Sequence, residues 1–528
     1  MKRIVIVVLV MFLLLVAAPW GIGQLAEKRV NAGLDKLAEQ APYLTIVERK
    51  WTGGWFRSEQ EVTFEVFGAW VDAINPAKAL DAAVQAETEA LIETQIPAGT
   101  DPAAQELERR QQSAVPGSDV AVESEAPADA APPAPEVSPA PAPAKPMRIT
   151  VRNEILHGPV LWPASLGLAR VNSRVVLSEE VRKKLIGIFG TDEPLRVSSR
   201  IGFFGGGSTR FFGEGRTLEF KEDGGVLTYD DFDLTIGYSG DFDEADMEGS
   251  WSNLEYTDKK TGERIAVNGM SLEGESERIL GDLYDTDAEF EIDEMRLAGA
   301  DKTETLVEDV SYVVDTEHEA GFIDMSVRFG SGRIRNPAFE EMQLEIREVH
   351  YDFTARHLHV ETLQALLAEV KASYTQPAAT AAELQAAMIT PMQKHGIALL
   401  RHEPEFVIDR IGLVTAEGEG VIKGVVRLSG VTEADLAQGA MALVGKIMAR
   451  IDIEIAQKLL EKIPNGATSA GMAVDQGFAK REGENLVSRI EFSKGELTVN
   501  GKPLPIPGLG APSPPQDGYP AEEAPPEE

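Results

Sequence analysis

The chain of 528 residues contains no cysteine. This absence excludes disulfide bonds, thiolate zinc sites, iron-sulfur clusters and a cysteine nucleophile. Basic residues are scarce as well, since 50 Lys and Arg stand against 86 Asp and Glu and the formal net charge is -36. Binding to nucleic acid is excluded on this balance, because phosphate contacts need clustered cations and the sequence has no such cluster.

The short motifs of common enzymes are also missing. The sequence has neither a Gly-x-Ser-x-Gly elbow nor a His-Glu-x-x-His helix. Its glycine-rich segment 202–208 lacks the Gly-Lys-Ser/Thr ending of a phosphate-binding loop and leads into Phe211 and Phe212, which favours a hairpin loop. We therefore predict no catalytic residue, no cofactor and no metal ligand, and we expect the protein not to be an enzyme.

Long apolar runs are absent with one exception, Ile4 to Gly23, which directly follows Lys2 and Arg3. At ~1.5 Å per residue, a helix of this length reaches ~30 Å, the thickness of the hydrocarbon core of a bilayer. We predict a transmembrane helix over residues 4–23, with residues 1–3 in the cytoplasm and the rest of the chain outside it.

A cleaved signal peptide is the alternative interpretation of this run. Val16-Ala17-Ala18 offers small residues to a peptidase, although Pro19 disfavours cleavage there, and Gly21-Ile22-Gly23 offers a second position. The orientation rests on a small charge difference, because three basic residues lie close on the other side of the run.

Composition divides the remainder of the chain. Residues 94–147 are rich in Pro and Ala and predict a disordered insertion, and residues 506–528 predict an acidic, Pro-rich tail. Residues 24–93 are expected to form a helical stalk and a first strand pair, and residues 148–505 a β-rich body.

In this body the dominant hydrophobic period is two. Phe232 to Tyr238 and Ile323 to Phe329 are examples in which apolar and polar residues alternate, as on a strand with one buried face. Because the turns between such segments are short, the strands are expected to be antiparallel. The predicted fold class is α+β and β-dominated, with an N-terminal transmembrane helix followed by an extended antiparallel meander and packed helices.

Helices are predicted near 362–398 and 433–463. Leu363, Leu366 and Val370 form an apolar stripe in the first of these ranges, and the second carries apolar residues at a similar spacing.

Two sets of polar residues are candidate sites. Glu348, His350 and Asp352 share one face of a predicted strand, but without a converging third element they indicate a solvated polar face rather than a metal site. His157 precedes Gly-Pro and could act in proton transfer, although a structural role at a strand turn is the simpler interpretation.

Three segments carry a family resemblance: 51–58 (WTGGWFRS), 155–159 (ILHGP) and 495–503 (GELTVNGKP). Together they resemble the YdgA-type family of bacterial envelope proteins, although Trp51, Gly53 and Arg57 depart from its first signature. The matching signature positions, whose role is unknown, are Gly54, Trp55, Phe56, Ser58, His157, Gly158, Pro159, Asn500 and Gly501.

The resemblance implies a single-pass protein of the bacterial inner membrane with most of its chain in the periplasm, and it implies no reaction. We expect a non-enzymatic binding or scaffold component that contacts the bilayer through residues 4–23. Its ligand would be an envelope protein, or lipid held along the sheet. The alternatives are a periplasmic hydrolase that uses His157 and a self-associating structural protein whose dimer contact is the stalk from Leu25 to Leu37.

Overall fold

The structure is a computed structural model, and the residues it describes are 2–67, 147–161, 165–220, 224–376, 381–432, 434–435 and 440–505. The side chains of residues 2–20, 165, 381, 440 and 441 are not described. The predicted tail and the predicted insertion, apart from Met147, lie outside the described residues.

The α-helices of the described residues are short except for the first. They are α1 (Lys2–Gln40), α2 (Glu179–Phe189), α3 (Pro337–Glu341), α4 (Val360–Ser373), α5 (Ala381–Pro391), α6 (Ile397–Leu400), α7 (Ala440–Val444), α8 (Gln457–Lys462) and α9 (Gly466–Asp475). A π-helical turn, Met392–Gly396, joins α5 to α6.

Most of the described chain is strand. The strands of the first half are β1 (Leu44–Thr52), β2 (Arg57–Val66), β3 (Met147–His157), β4 (Val160–Leu161), β5 (Ser165–Leu166), β6 (Ala169–Val175), β7 (Arg196–Ile201), β8 (Gly207–Gly213), β9 (Arg216–Glu219), β10 (Gly225–Tyr229), β11 (Phe232–Tyr238), β12 (Glu244–Asp258) and β13 (Arg264–Leu280). Those of the second half are β14 (Leu283–Ala298), β15 (Glu304–Glu319), β16 (Phe322–Ser331), β17 (Ile334–Arg335), β18 (Ile346–His359), β19 (Glu405–Thr415), β20 (Gly418–Leu428), β21 (Ile447–Ala456), β22 (Lys480–Glu482), β23 (Asn485–Ser493), β24 (Glu496–Val499) and β25 (Lys502–Leu504).

One antiparallel sheet connects nearly all of these strands. Its main path runs β1-β2-β3-β6-β7-β8-β11-β12-β13-β14-β15-β16-β18-β19-β20-β21-β23-β24-β25. Short strands join at the sides, since β9 and β10 extend from β12, β17 lies between β15 and β18, and β22 pairs with β23. The prediction of a β-dominated protein with a large antiparallel sheet and a few helices is confirmed.

Helix α1 packs against the first strands of this sheet. Ala26 and Val30 are buried in a cluster with Ile155, Val171 and Ile201 of β3, β6 and β7. Among the described residues, no helix has both the length and the apolar character needed to cross a bilayer.

A second cluster lies under α4. Val360 of this helix is buried with Leu283, Ile323 and Leu358, which belong to β14, β16 and β18. Each of the two helices therefore covers part of the sheet with its apolar stripe.

The prediction of helix throughout 433–463 is wrong. Residues Ile447–Ala456 form β21, which pairs with β20 and β23, and only the short helices α7 and α8 flank it. Ile451, Ile453 and Ile455 alternate with Asp452 and Glu454, and β-branched residues with period two favour a strand. The helical spacing in this range depended on passing over Ile453.

Helix α2 was not predicted from the sequence. The Ser178 side chain caps it by accepting a hydrogen bond from the Val181 N–H, and Gly190 ends it in the left-handed conformation at φ 66°. None of its described residues is buried, so the apolar stripe on which helix prediction depends is weak here.

Candidate functional site: an open apolar face and the His157 junction

The register of the sheet aligns apolar residues into rows. Directly opposed residues of an antiparallel pair project from the same face of a sheet. One row crosses ten strands from β11 to β21 and consists of Leu234, Gly249, Leu272, Phe290, Tyr312, Phe329, Tyr351, Ile411, Ile422 and Ile453. At ~4.8 Å between strands, this row is ~43 Å long.

A second apolar row runs beside the first on the same face. Its members are Ile236, Met247, Gly274, Ala288, Val314, Val327, Phe353, Ile408, Gly424, Ile451, Ile490 and Val499. A third row, which begins at Met325 in β16, continues through Ala355, Phe406, Val426, Ala449 and Phe492. We call the surface formed by these three rows the apolar face.

The opposite face of the same strands is acidic. Asp246, Glu275, Asp287 and Asp315 oppose one another across β12 to β15. Glu248, Glu273 and Glu289 form a neighbouring row. Water is the natural partner of these carboxylates, so this face explains much of the net charge without implying a ligand.

The apolar face is open over its central strands. Tyr312 is 43% exposed, Tyr351 45%, Phe353 42% and Phe406 48%, all large side chains that a soluble protein normally covers. Helix α1 covers the face at its first strands, because Ile155 and Val171 belong to the row that continues through Thr209 to Ile236, and α4 packs against Ala355 of the third row. An apolar surface that the chain's own helices leave open over several strands indicates a binding surface.

The His157 segment forms a buried junction rather than an open cleft. Ser58 Oγ lies 3.0 Å from His157 Nε2, and His157 Nδ1 lies 3.2 Å from the Trp55 carbonyl oxygen. The carbonyl can only accept, so Nδ1 carries the proton and the Ser58 hydroxyl donates to Nε2. Ser58 and His157 are 2% and 6% exposed. The two contacts of His157 therefore link the start of β2 and the β1–β2 turn to the end of β3.

The junction also involves α1. The Ser58 hydroxyl also accepts from the Gly54 N–H at 3.4 Å, so it both donates and accepts a hydrogen bond. A Cβ atom placed at Gly23 would lie 2.4 Å from Cε1 of His157, so the imidazole ring fits against the bare backbone of the helix. Of the signature residues, Trp55 and Phe56 remain 48% and 60% exposed at this end of the molecule.

The remaining signature residues lie in two different turns of the chain. The Gly158-Pro159 peptide bond is cis and follows β3 directly. Asn500 and Gly501 lie in the β24–β25 turn, with φ 52° and 79°, as the tight-turn dipeptide predicts. Asn500 Oδ1 accepts from the Arg489 N–H and its Nδ2 donates to the Gly477 carbonyl, so its side chain is used in local packing.

The histidines of β18 do not form a metal site. Glu348 contacts His350 at 3.0 Å, whereas Asp352 lies opposite Arg410. In the part of the chain that the structure describes, no cluster of His, Asp and Glu has the geometry to hold a metal ion. His359 stacks on His402 with ring centroids 3.9 Å apart, and burial, followed by the charge of His359, lowers the pKa of His402 below its usual value.

Sequence reasoning missed a chain of amide side chains beneath α1. Gln60 Nε2 donates to Asn31 Oδ1, and Asn153 Nδ2 donates to Gln60 Oε1, each at 2.9 Å. Gln60 is 1% and Asn153 5% exposed. The signal in the sequence that could have revealed this amide chain is the presence of polar residues at inward positions of strands that are otherwise apolar on that side.

These features define a class: a β-dominated protein with one large antiparallel sheet, whose apolar face is partly covered by α1 and α4 and open over its central strands. The family model for bacterial proteins of unknown function, DUF945, matches residues 1–115 and 117–507, so the chain belongs to that family. No curated protein and no solved structure matches the chain.

Proposed function

We propose that this protein is a membrane-tethered component of the bacterial envelope that binds lipid hydrocarbon chains on its apolar face. The proposal rests on one observation, the three adjoining apolar rows with exposed Tyr312, Tyr351, Phe353 and Phe406. Binding, not catalysis, is the function that such a surface supports.

The chemistry of the surface favours hydrocarbon over an extended peptide. Backbone N–H and C=O groups of the interior strands are engaged in the ladder, so they offer a ligand no main-chain hydrogen bonds. A peptide laid on this face would leave its own backbone groups unpaired, which costs free energy. Hydrocarbon has no such groups, and burying it against Tyr351 and Phe353 is favourable by about 25 cal/mol per Å².

Photo-crosslinking in intact bacteria tests this proposal. A p-benzoylphenylalanine residue at Tyr351 or Phe353 would project from the apolar face, and the same residue at His350 or Asp352 would project from the other face of the same strand. We expect lipid adducts of the full-length chain from the first pair only, identified by mass spectrometry. Crosslinks from Tyr351 to protein alone, or equal lipid labelling from both faces, would reject hydrocarbon binding.

The location proposed is the inner membrane, with residues 4–23 as the tether and the body in the periplasm, as in the YdgA-type proteins that the signatures resemble. The apolar run from Ile4 to Gly23 supports it, as do the exposed Trp55 and Phe56 beside the Gly23 end, since aromatic residues favour the bilayer interface. Release of the intact chain from membranes by carbonate washing would contradict the tether.

A hydrolase that uses His157 is the second candidate. The Ser58–His157 contact favours it, because the hydroxyl and the base are within hydrogen-bond distance and the ring is oriented. The burial of Ser58 and His157, together with the second hydrogen bond to the Ser58 hydroxyl, weighs against a hydrolase. If His157→Asn restores the phenotype of a deletion strain as fully as the wild-type chain does, the hydrolase is rejected.

Self-association through the stalk has less support. Ala26 and Val30 are buried against the sheet, and among the large apolar residues of the proposed contact Leu25 and Leu37 remain more than 40% exposed. The mass of the full-length protein in detergent tests it, and a monomer would reject it.

A further inference from the structure

A cavity of ≈ 340 Å³ lies between α1 and the covered end of the apolar face. Its apolar lining includes Val30 and Leu34 from the helix and Val171 from β6. Binding sites for small molecules begin at about this size. The cavity differs from the open face, because helix and sheet enclose it together.

Its polar lining contains an unsatisfied group. Asn153 is 5% exposed, its Nδ2 donates to Gln60, and its Oδ1 has no hydrogen-bond partner among the described residues. An unpaired buried carbonyl is costly and calls for a donor. Ser173, Ser199 and Thr209 add hydroxyl groups to the same lining.

Two cations of α1 border the cavity. Arg29 is exposed and forms no ion pair with any carboxylate in the described part of the chain. Lys36 donates to the backbone carbonyl of Asp241 at 2.9 Å, with the Asp241 carboxylate, 86% exposed, at 3.9 Å. In a chain of net charge -36, an unpaired arginine at the border of a cavity is suited to an anion.

We infer that this cavity binds the headgroup of an anionic lipid that carries hydroxyl groups, while its acyl chains continue along the apolar face. Arg29 is the counter-ion of the phosphate, and a headgroup hydroxyl donates to Asn153 Oδ1. The inference rests on the proposed function, because it assigns the headgroup of the lipid whose chains the apolar face would hold.

Native mass spectrometry of the full-length protein, released from a neutral detergent, tests the inference with three lipids of identical acyl chains. Phosphatidylglycerol has the anion and the hydroxyls, phosphatidylmethanol has the anion alone, and phosphatidylcholine has neither a net charge nor a hydroxyl. We expect the protein to retain bound phosphatidylglycerol best, phosphatidylmethanol less well and phosphatidylcholine least.

Variants separate the two contacts. Arg29→Gln should weaken retention of both anionic lipids about ten-fold, with Lys28→Gln, an exposed neighbour, as the control without effect. Asn153→Leu should abolish the preference for phosphatidylglycerol over phosphatidylmethanol. Ser173→Leu places a larger side chain in the cavity without changing any residue of the amide chain beneath α1. It should lower retention of phosphatidylglycerol, with an unchanged circular dichroism spectrum.

Equal retention of the three lipids, or an Arg29→Gln protein that binds like wild type, would overturn the inference. That result would leave lipid crosslinking at Tyr351 unaffected, so failure of the headgroup site and failure of the proposed function can be distinguished.

Discussion

The imidazole of His157 occupies the space that Gly23 leaves on α1. A Cβ atom at Gly23 would lie 2.4 Å from His157 Cε1 and 2.7 Å from Nδ1, closer than real Cβ contacts. The first helix therefore contacts the sheet where β3 ends, and only glycine fits at this position without displacing the ring.

Gly23→Ala should destabilise the body by about 1–3 kcal/mol, because either the helix or the ring must move. Gly33→Ala is the matched control in the same helix, since its added Cβ meets nothing within 4 Å and should stabilise by ~0.5–1 kcal/mol. Chemical denaturation of the full-length protein in detergent measures both. In a double-mutant cycle, His157→Ala should relieve part of the Gly23→Ala cost, and strictly additive effects would contradict the contact.

Ser58→Ala should lower the free energy of unfolding by about 1–3 kcal/mol. The change leaves the buried Nε2 of His157 without its donor and the Gly54 N–H without its acceptor. Thr217→Ala, which removes an exposed hydroxyl contact between β9 and β10, should cost less than ~0.5 kcal/mol. Urea midpoints of the two variants compare them directly, and equal midpoints would refute a structural role for the Ser58 hydroxyl.

Gly501→Ala should destabilise the protein by about 1 kcal/mol, because Gly501 has φ 79° and a side chain is disfavoured there even though space is free. Gly471→Ala, in α9 and also with nothing within 4 Å, should be neutral or stabilising. Thermal unfolding can rank the two. If Gly501→Ala proved as stable as Gly471→Ala, the tight turn between β24 and β25 would be in doubt.

Protonation of His402 should destabilise the fold below about pH 6.5. Burial, and then the field of the stacked His359, holds the pKa of His402 below its usual value in the folded state. The unfolded chain therefore takes up this proton first as pH falls, and the stability contributed at neutral pH is lost.

The measurement is urea unfolding at about pH 8 and about pH 5.5, on either side of the ordinary histidine pKa. His402→Gln should lose less stability over this interval than the wild-type protein does. The comparison between variants removes the background from the many carboxylates, which both proteins share. Identical losses would show that the histidine stack does not affect the pH dependence.

Strand content followed from the sequence because most of the longer strands carry one apolar side. Alternation within Phe232–Tyr238 or Phe322–Ser331 is a local property, and the period alone reveals it. Where two periods compete, as around Ile453, pairing with β20 and β23 decides between helix and strand. A single sequence contains no signal for such partners.

The candidate sites depend on the register between paired strands, which the sequence pattern of a single strand does not reveal. Phe290, Tyr312, Phe329 and Tyr351 form one row only because four strands align without a slip, and a shift of one residue would turn each to the acidic side. Ser58 and His157 are 99 positions apart in the chain. Their signatures could be noted from the sequence, but their contact could not.

Each strand from β12 to β15 pairs with the strand just before and the strand just after it in the chain, so loop-closure costs within this part of the meander are small. The sheet can therefore lengthen one hairpin at a time during synthesis, and its final strands, β23 to β25, can detach while the strands near α1 stay paired. Cooperativity in such a sheet is that of a linear array, in which each strand depends mainly on its neighbours.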